Sequence, residues 1–122
     1  MTELSGPFYT SDYTKVLHED SENIKFNAPH HFLVTAVSES GVGHVVGQIN
    51  FQEGPIKENG VNGVANEDLI NMVLCRLEGF QQSEFACREN AIAIAKLQEA
   101  LMWLRIRTNG RKIRGVEGTS QI

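Results

Sequence analysis

The feature that most constrains the fold of this 122-residue chain is an apolar stripe of helical spacing within residues 85–104. Its members recur at intervals of three and four and therefore share one helical face; they are Ile94, Leu97, Leu101 and Leu104. Small side chains flank the stripe; they are Ala91, Ala95 and Ala100. Thin flanks let another helix approach closely, so we expect this helix to pack against a second one.

A second helical pattern comes earlier in the chain and is separated from the first by a short connector. Asn66 is a suitable N-cap, and Glu67 and Asp68 in the first turn complement the helix dipole. Apolar residues then follow with helical spacing over about 15 residues; they are Leu69, Ile70, Val73, Leu77 and Phe80. Residues 81–83 alone connect the two patterns, which predicts two antiparallel neighbours in an αα-hairpin.

The N-terminal half of the chain predicts a small antiparallel β region. Residues 31–38 are rich in β-branched and aromatic side chains, residues 39–43 are turn-like, and residues 45–51 alternate with period two. Together they predict a β-hairpin. We expect residues 1–14 to form an arm without regular structure and residues 24–26 to form a short extended piece.

These elements define a fold class. Residues 53–65 contain two Asn-Gly dipeptides, which suit positive φ, and should form a structured loop. The predicted class is α+β, with a small N-terminal antiparallel β region followed by a long antiparallel two-helix hairpin. We expect one domain over residues 1–122. Residues 1–65 would hold the arm, the β-hairpin and the loop, and residues 66–122 the helical hairpin and a basic tail.

The charge of the chain is unevenly distributed. The net charge is −4, but residues 105–122 carry +4 and residues 1–104 carry −8. The cations of this tail are Arg105, Arg107, Arg111, Lys112 and Arg114, against the single acid Glu117. Cations gathered at one place suit an anionic partner that binds locally, and they do not suit a protein coated with nucleic acid.

The sequence lacks the signals of membrane insertion, cofactor binding and catalysis. No apolar run reaches the roughly 18–20 residues of a membrane helix, and the N-terminus has no signal-peptide pattern, so we expect a cytoplasmic protein. Cys75 and Cys87 form neither a disulfide framework nor a zinc motif, and we expect both to be reduced and buried. The histidines lack metal-ligand spacing, and no nucleophile elbow or P-loop occurs. The prediction is a protein that is not an enzyme and holds no metal or cofactor.

Candidate ligand-binding residues lie at both ends of the predicted helical hairpin. Phe80 either continues the core stripe or offers a ring on which a base can stack. Asn90 either caps its helix locally or contacts a ligand. Arg107 and Arg111 share one face of a continuing helix, with Arg114 three residues further on. They form a stripe of forked donors for phosphate oxygens, unless they are only solvated cations that complement the helix dipole.

Two observations bear on this arginine stripe. Asn109-Gly110 is a plausible helix stop, which would leave Arg111 and Arg114 on a loop. Asn90 and Arg107 are 17 positions apart, about 26 Å along a helix. One small ligand cannot contact both of these residues within a single protomer. A shared site must therefore lie between two subunits that pack tip to tail.

Several segments of the chain carry a resemblance to a known family. They are HEDSENIKFNAPHHF at 18–32, GPIKENGVNG at 54–63, FACRENAIAIAKLQEALMWL at 85–104 and RGVEGT at 114–119. Together they resemble the phage Thoeris anti-defence family of signal-sequestering sponge proteins, and the helical hairpin is similar to that of anti-CBASS sponge proteins. The resemblance implies a homo-oligomer in which dimers assemble into a hexamer.

The resemblance also implies an activity and a set of site residues. The activity is tight capture, in the infected host cell cytoplasm, of cyclic ADP-ribose-type signals such as glycocyclic ADP-ribose, without their degradation. Phe80 would stack on the adenine, Asn90 would make a polar contact, and Arg107 and Arg111 would bind the pyrophosphate. The residues implied for a second ligand site, for cyclic trinucleotides, are Arg114, Gly115 and Thr119.

Two other functions are compatible with parts of the sequence. A nucleic-acid-binding phage regulatory protein could use the basic tail, and its binding would then depend steeply on salt. The acidic remainder of the chain argues against this function. An enzyme that cleaves the signal is the other alternative, and the missing acid–base constellation argues against it.

Overall fold

The computed structural model of the chain describes residues 1–40 and 43–122. It has the α+β fold that the sequence predicts, with a four-stranded antiparallel sheet followed by helices. The chain divides into two compact units, Met1–Val64 and Ala65–Ile122. This division falls within one residue of the predicted boundary between the β region and the helical hairpin. A single domain over both units stays a prediction.

The first unit is built on an antiparallel sheet of strand order β1-β2-β3-β4. The strands are β1 (Thr2–Glu3), β2 (Thr14–His18), β3 (His31–Ser38) and β4 (Gly41–Asn50). The predicted β-hairpin is confirmed by the pairing of β3 with β4. The register shifts in the middle of this pair, where a Cβ atom on Gly43 would lie 1.7 Å from the Ala36 carbonyl oxygen. Only glycine allows this close approach of the two backbones.

The N-terminal residues differ from the prediction of an arm without regular structure. β1 pairs with β2, and the Tyr9 hydroxyl donates to the Glu3 carboxylate at 2.7 Å and accepts from the Val16 amide at 3.1 Å. A strand of two residues is too short to show an alternating pattern, which is why the sequence gives no sign of it. The predicted extended piece at residues 24–26 is wrong as a continuous segment. Ile24 is extended, but Phe26 has a left-handed φ of 53°.

The predicted structured loop after β4 is confirmed. Phe51 pairs with Val64 in a parallel bridge, and a short helix, α1 (Ile56–Asn59), lies between them. The Gln52 side chain donates to the Gly60 carbonyl at 2.7 Å and accepts from the Asn62 amide at 3.0 Å. These side-chain bonds replace the backbone ladder that an irregular segment lacks.

The second unit is a hairpin of α2 (Asn66–Gln81) and α3 (Arg88–Ile113). The predicted N-cap of α2 is shifted by one residue, because Ala65 occupies that position and its amide donates to the Asp68 carboxylate at 2.8 Å. The connector is longer than predicted and comprises residues 82–87. The Gln81 side chain bridges it, since its amide donates to the Cys87 carbonyl and accepts from the Cys87 amide, both at 3.0 Å.

Helix α3 continues through Asn109-Gly110, so the helix stop considered there is wrong. Gly110 is helical, and nothing lies within 4 Å of a Cβ placed on it. The helix ends at Ile113 with Arg114 as its C-cap, and Gly115 follows with a φ of +73°. The Gly115 amide donates to the Lys112 carbonyl and the Val116 amide donates to the Arg111 carbonyl, each at 3.0 Å. This pair of bonds around a left-handed glycine is a Schellman motif.

Few side chains of the hairpin are fully buried. The predicted stripe of α3 is half-buried, and Leu74 of α2 is the one apolar residue of the described chain that is less than 9% exposed. Cys75 and Cys87 are exposed, which corrects the prediction that both are buried. Cys75 lies on the outer side of a two-helix unit that has little interior, and Cys87 is the N-cap of α3. Among the described residues, no helix is both long and apolar enough to cross a membrane.

Candidate ligand-binding ends of the helical hairpin

A recess of about 450 Å³ lies at the tip of the helical hairpin, where α2 meets the connector. The residues that line it are Arg76, Gly79, Phe80, Ser83 and Phe85. We call this feature the tip recess. Both of its aromatic side chains are accessible, with Phe80 37% and Phe85 66% exposed. The tip recess therefore presents flat apolar surface to a ligand.

Phe80 is the predicted residue of the tip recess. It ends the apolar stripe of α2, yet it is exposed and does not fill a core. The guanidinium carbon of Arg76, four residues earlier on α2, lies 5.2 Å from the centre of the Phe80 ring. This distance is within the range of a cation–π contact, which holds the ring in one orientation. Phe80 is therefore accessible from outside the hairpin.

The Ser83 hydroxyl fixes the spacing of the two aromatic residues. It donates to the Phe80 carbonyl at 2.6 Å and accepts from the Phe85 amide at 3.1 Å. Sequence reasoning missed Arg76, Ser83 and Phe85. The four-residue spacing of Arg76 and Phe80 could have indicated their contact. The position of Phe85 depends on the conformation of the connector, which no periodic pattern indicates.

Asn90 also lies at this end of the hairpin, in the first turn of α3, and is half-buried. It does not cap the helix, because the N-cap is Cys87 and no side-chain capping bond is formed there. Among the described residues, its amide forms no hydrogen bond. The Asn90 amide is therefore available to a ligand.

The predicted arginines lie toward the other end of α3 and differ in their contacts. Arg107 is exposed, and its guanidinium forms no ion pair or hydrogen bond among the described residues. Arg111 is half-buried, and its Nη2 donates to the carbonyl oxygens of Val116, Thr119 and Gln121. Arg107 is thus an available cation, whereas one edge of Arg111 is already in use.

The residues implied for a second ligand site belong to the segment that follows α3. The Arg114 guanidinium donates to the Ile122 main-chain oxygen at 2.7 Å. Gly115 is the left-handed residue of the Schellman motif. The Thr119 hydroxyl donates to the Val116 carbonyl at 2.5 Å. The three residues therefore lie within one hydrogen-bonded segment, in which each has a structural contact.

A second cleft, of about 320 Å³, lies where the start of α2 meets the end of α3. Its lining residues are Glu67, Asn71, Leu101, Arg105, Thr108, Asn109 and Lys112. Because residues from the start of one helix face residues from the end of the other, the two helices are antiparallel. None of the predicted site residues lines this cleft.

The continuity of α3 keeps the two groups of predicted residues apart. Phe80 and Asn90 lie at the tip, and Arg107 and Arg111 lie in the last two turns of a 26-residue helix. The rise of an α-helix places Asn90 and Arg107 about 26 Å apart, as the sequence predicts. The structure therefore does not bring the four residues together within one hairpin.

The first unit contains a polar cluster around His31. Its two ring nitrogens lie 2.8 Å from the Asn50 side-chain oxygen and 2.8 Å from the Glu53 carboxylate. These bonds, the Asn50 bond first, raise the pKa of His31 above its ordinary value of 6.5. In the described part of the chain, no group of three or more His, Cys, Asp or Glu side chains is arranged to hold a metal ion.

Comparison with known proteins identifies the family. Residues 44–108 match the family described as Acb2/Tad1, hairpin domain. The chain belongs to the Acb2/Tad1 hairpin family. It is also 46% identical to a protein of Bacillus phage SBSphiJ7 named Thoeris anti-defense 1, over 99% of each chain. The resemblance inferred from the sequence segments is confirmed.

The Acb2/Tad1 hairpin match covers only some of the candidate residues. It begins in β4, includes the whole tip recess, Asn90 and Arg107, and ends at residue 108. Arg111 and the segment after α3 lie beyond it. The alignment with the Bacillus phage protein extends over nearly the whole of both chains, so this similarity is not confined to the hairpin.

Proposed function

We propose that this protein is a phage anti-defence protein that captures a cyclic ADP-ribose-type immune signal and holds it without degrading it. Membership of the Acb2/Tad1 hairpin family and the name of its Bacillus phage relative support the anti-defence role. Capture of glycocyclic ADP-ribose or another cyclic ADP-ribose isomer is the specific activity proposed. It would take place in the cytoplasm of the infected host cell.

The tip recess is the observation that carries this proposal. A recess of about 450 Å³ with one exposed aromatic ring held by a guanidinium suits a planar base. Stacking of a base on an aromatic side chain contributes roughly 1–3 kcal/mol. The adenine of the signal would stack on Phe80, and the Asn90 amide would bond to its polar edge.

The diphosphate of the signal needs cations that the tip recess does not supply in sufficient number. Arg107 is a free donor, and Arg111 lies one turn further along the same face. Both are too distant from Asn90 to contact the same ligand within one protomer. We therefore place each site between two copies of the chain, with the tip of one copy facing the arginines of the other.

Exposed apolar side chains on the hairpin support such an assembly. On α3, Met102, Trp103 and Ile106 are 49%, 62% and 52% exposed, and they are adjacent on one side of the helix. A two-helix unit with so little buried apolar surface gains stability by burying this surface against another copy. The proposed assembly is a homo-oligomer built from dimers, with a hexamer as the expected form.

A mixing experiment tests whether the site is shared. Phe80→Ala and Arg107→Ala subunits are each expected to bind cyclic ADP-ribose more weakly than the wild type. In a shared site, random co-assembly of equal amounts of the two variants restores about one quarter of the wild-type sites, because each restored site needs an intact tip from one variant and an intact arginine end from the other. Titration calorimetry measures this fraction. A mixture without any restored sites would contradict a site between subunits.

The same titration with a panel of ligands tests specificity. We expect cyclic ADP-ribose isomers to bind at the shared site. Cyclic trinucleotides are expected at the second site, whose proposed residues are Arg114, Gly115 and Thr119. Competition between the two ligand classes would contradict separate sites.

A further inference from the structure

The end of the chain is tied to one arginine of α3. Nη2 of Arg111 donates to three carbonyl oxygens, at 3.0 Å to Val116, 3.1 Å to Thr119 and 2.9 Å to Gln121. Three acceptors that converge on one nitrogen require the intervening backbone to turn around the guanidinium. Residues 116–122, which we call the C-terminal segment, are therefore folded on Arg111.

Three further features hold this turn. Gly118 has a left-handed φ of +75°, which lets the chain reverse, and the Thr119 hydroxyl donates to the Val116 carbonyl at 2.5 Å. Arg114 adds a bond of 2.7 Å from its guanidinium to the Ile122 main-chain oxygen. The C-terminal segment thus has a defined conformation with Arg111 at its centre.

The guanidinium has enough donors for two tasks. It carries five N–H groups in a rigid plane, and the bonds to the C-terminal segment use only the two N–H groups of Nη2, which the three carbonyl oxygens share. The Nε and Nη1 donors form no hydrogen bond among the described residues. In the described part of the chain, Arg107, one turn earlier on the same helix, has no bond to the segment. The two neighbouring arginines are therefore not equivalent.

We propose that Nη2 of Arg111 holds the C-terminal segment, and that the segment in turn fixes the guanidinium so that its Nε and Nη1 donors face the diphosphate of the ligand. This inference rests on the proposed function. Its physical basis is preorganisation, because a guanidinium already fixed on one edge loses less conformational freedom when it binds. Lysine has a single compact ammonium without a planar fork and cannot replace Arg111 in both tasks.

The first test needs no ligand. Hydrogen exchange is measured at the amides of Val116, Thr119 and Gln121, each of which donates a hydrogen bond, in the wild type, in Arg111→Lys and in the matched control Arg107→Lys. We expect exchange about tenfold faster in Arg111→Lys, in keeping with the loss of charge-assisted hydrogen bonds, and no change in Arg107→Lys. Equal exchange in all three proteins would overturn the inference. Unchanged helical circular dichroism shows that the variants are folded.

The second test measures coupling to capture by titration calorimetry with glycocyclic ADP-ribose. Gly118→Val strains the turn of the C-terminal segment and leaves both arginines in place. We expect it to weaken capture about tenfold, and to add little when combined with Arg111→Ala, since coupled residues are non-additive. When Gly118→Val is combined with Arg107→Ala, the fold-changes in Kd of the two substitutions should multiply.

The outcomes separate this inference from the proposed function. If the wild type captures the ligand and Gly118→Val binds it with the same affinity, the role of the segment is overturned and the proposed function stands. The role of the segment is also overturned if the effect of Gly118→Val on Kd adds fully to that of Arg111→Ala as well as to that of Arg107→Ala. If the wild type captures no cyclic ADP-ribose isomer, the proposed function fails together with the ligand-aiming half of the inference. The exchange experiment still decides whether Arg111 holds the segment.

Discussion

The guanidinium carbon of Arg76 lies 5.2 Å from the centre of the Phe80 ring, at the mouth of the tip recess. The contact spans one turn of α2 and leaves Phe80 accessible. An exposed ring that is held by a neighbouring cation is prepared for stacking before a ligand arrives.

Removal of the Phe80 ring should weaken capture. We expect Phe80→Ala to raise the Kd for cyclic ADP-ribose by the equivalent of about 1–3 kcal/mol, because the base loses its stacking surface. Phe80→Tyr keeps the ring and should bind nearly as well as the wild type. Titration calorimetry measures both. Equal loss in the two variants would mean that the ring is not a stacking platform.

The termination of α3 can be tested with two glycines. Gly110 is helical with open space around its Cβ position, so Gly110→Ala should increase the free energy of unfolding by about 0.5–1 kcal/mol. Gly115 has a φ of +73°, so Gly115→Ala should lower the free energy of unfolding by about 1 kcal/mol. Urea denaturation measures both changes. The opposite pair of signs would place the helix end at Asn109-Gly110.

The N-terminus of α2 can be strengthened. Ala65 occupies the N-cap position and has no side-chain acceptor for the free amides of the first turn. Ala65→Ser supplies a hydroxyl there and should stabilise the protein by about 1 kcal/mol. Ala65→Val is the control, which adds bulk without an acceptor and should not stabilise. Thermal denaturation distinguishes the two.

The stability of the sheet unit should depend on the protonation of His31. Only the imidazolium form donates from both nitrogens, to Asn50 and to Glu53, and these bonds raise the pKa of His31 in the folded protein. The stabilisation is complete below the ordinary pKa of about 6.5 and is lost as the pH rises through the folded-state pKa. We expect Tm to fall as the pH rises above about 6.5 and through the folded-state pKa of His31. His31→Gln should reduce this slope, and an unchanged slope would assign it to another group.

Sequence patterns predicted the elements that have a period. The β-hairpin, the two helices and the position of Phe80 follow from alternating or helical spacing. The end of α3 does not follow from spacing, because Asn109-Gly110 and Gly115 are equally plausible local stops. Only the two capping bonds at Gly115 distinguish them. The tip recess was not predicted, since Phe85 and Ser83 are brought to Phe80 by an irregular connector.

The contacts of Arg111 could not be predicted for a related reason. Spacing places Arg107 and Arg111 on one face and suggests that they act alike. The carbonyl groups that distinguish them belong to a segment whose turn depends on Gly118 at +75°. Such a turn depends on single backbone angles, which composition and periodicity do not report.

Recovery of the ligand after capture tests the proposed sequestration most directly. The protein is loaded with glycocyclic ADP-ribose, separated from free ligand and denatured, and the released molecule is identified by mass spectrometry. We expect intact cyclic ligand in stoichiometric amount. Release of a linear, hydrolysed product would contradict capture without degradation.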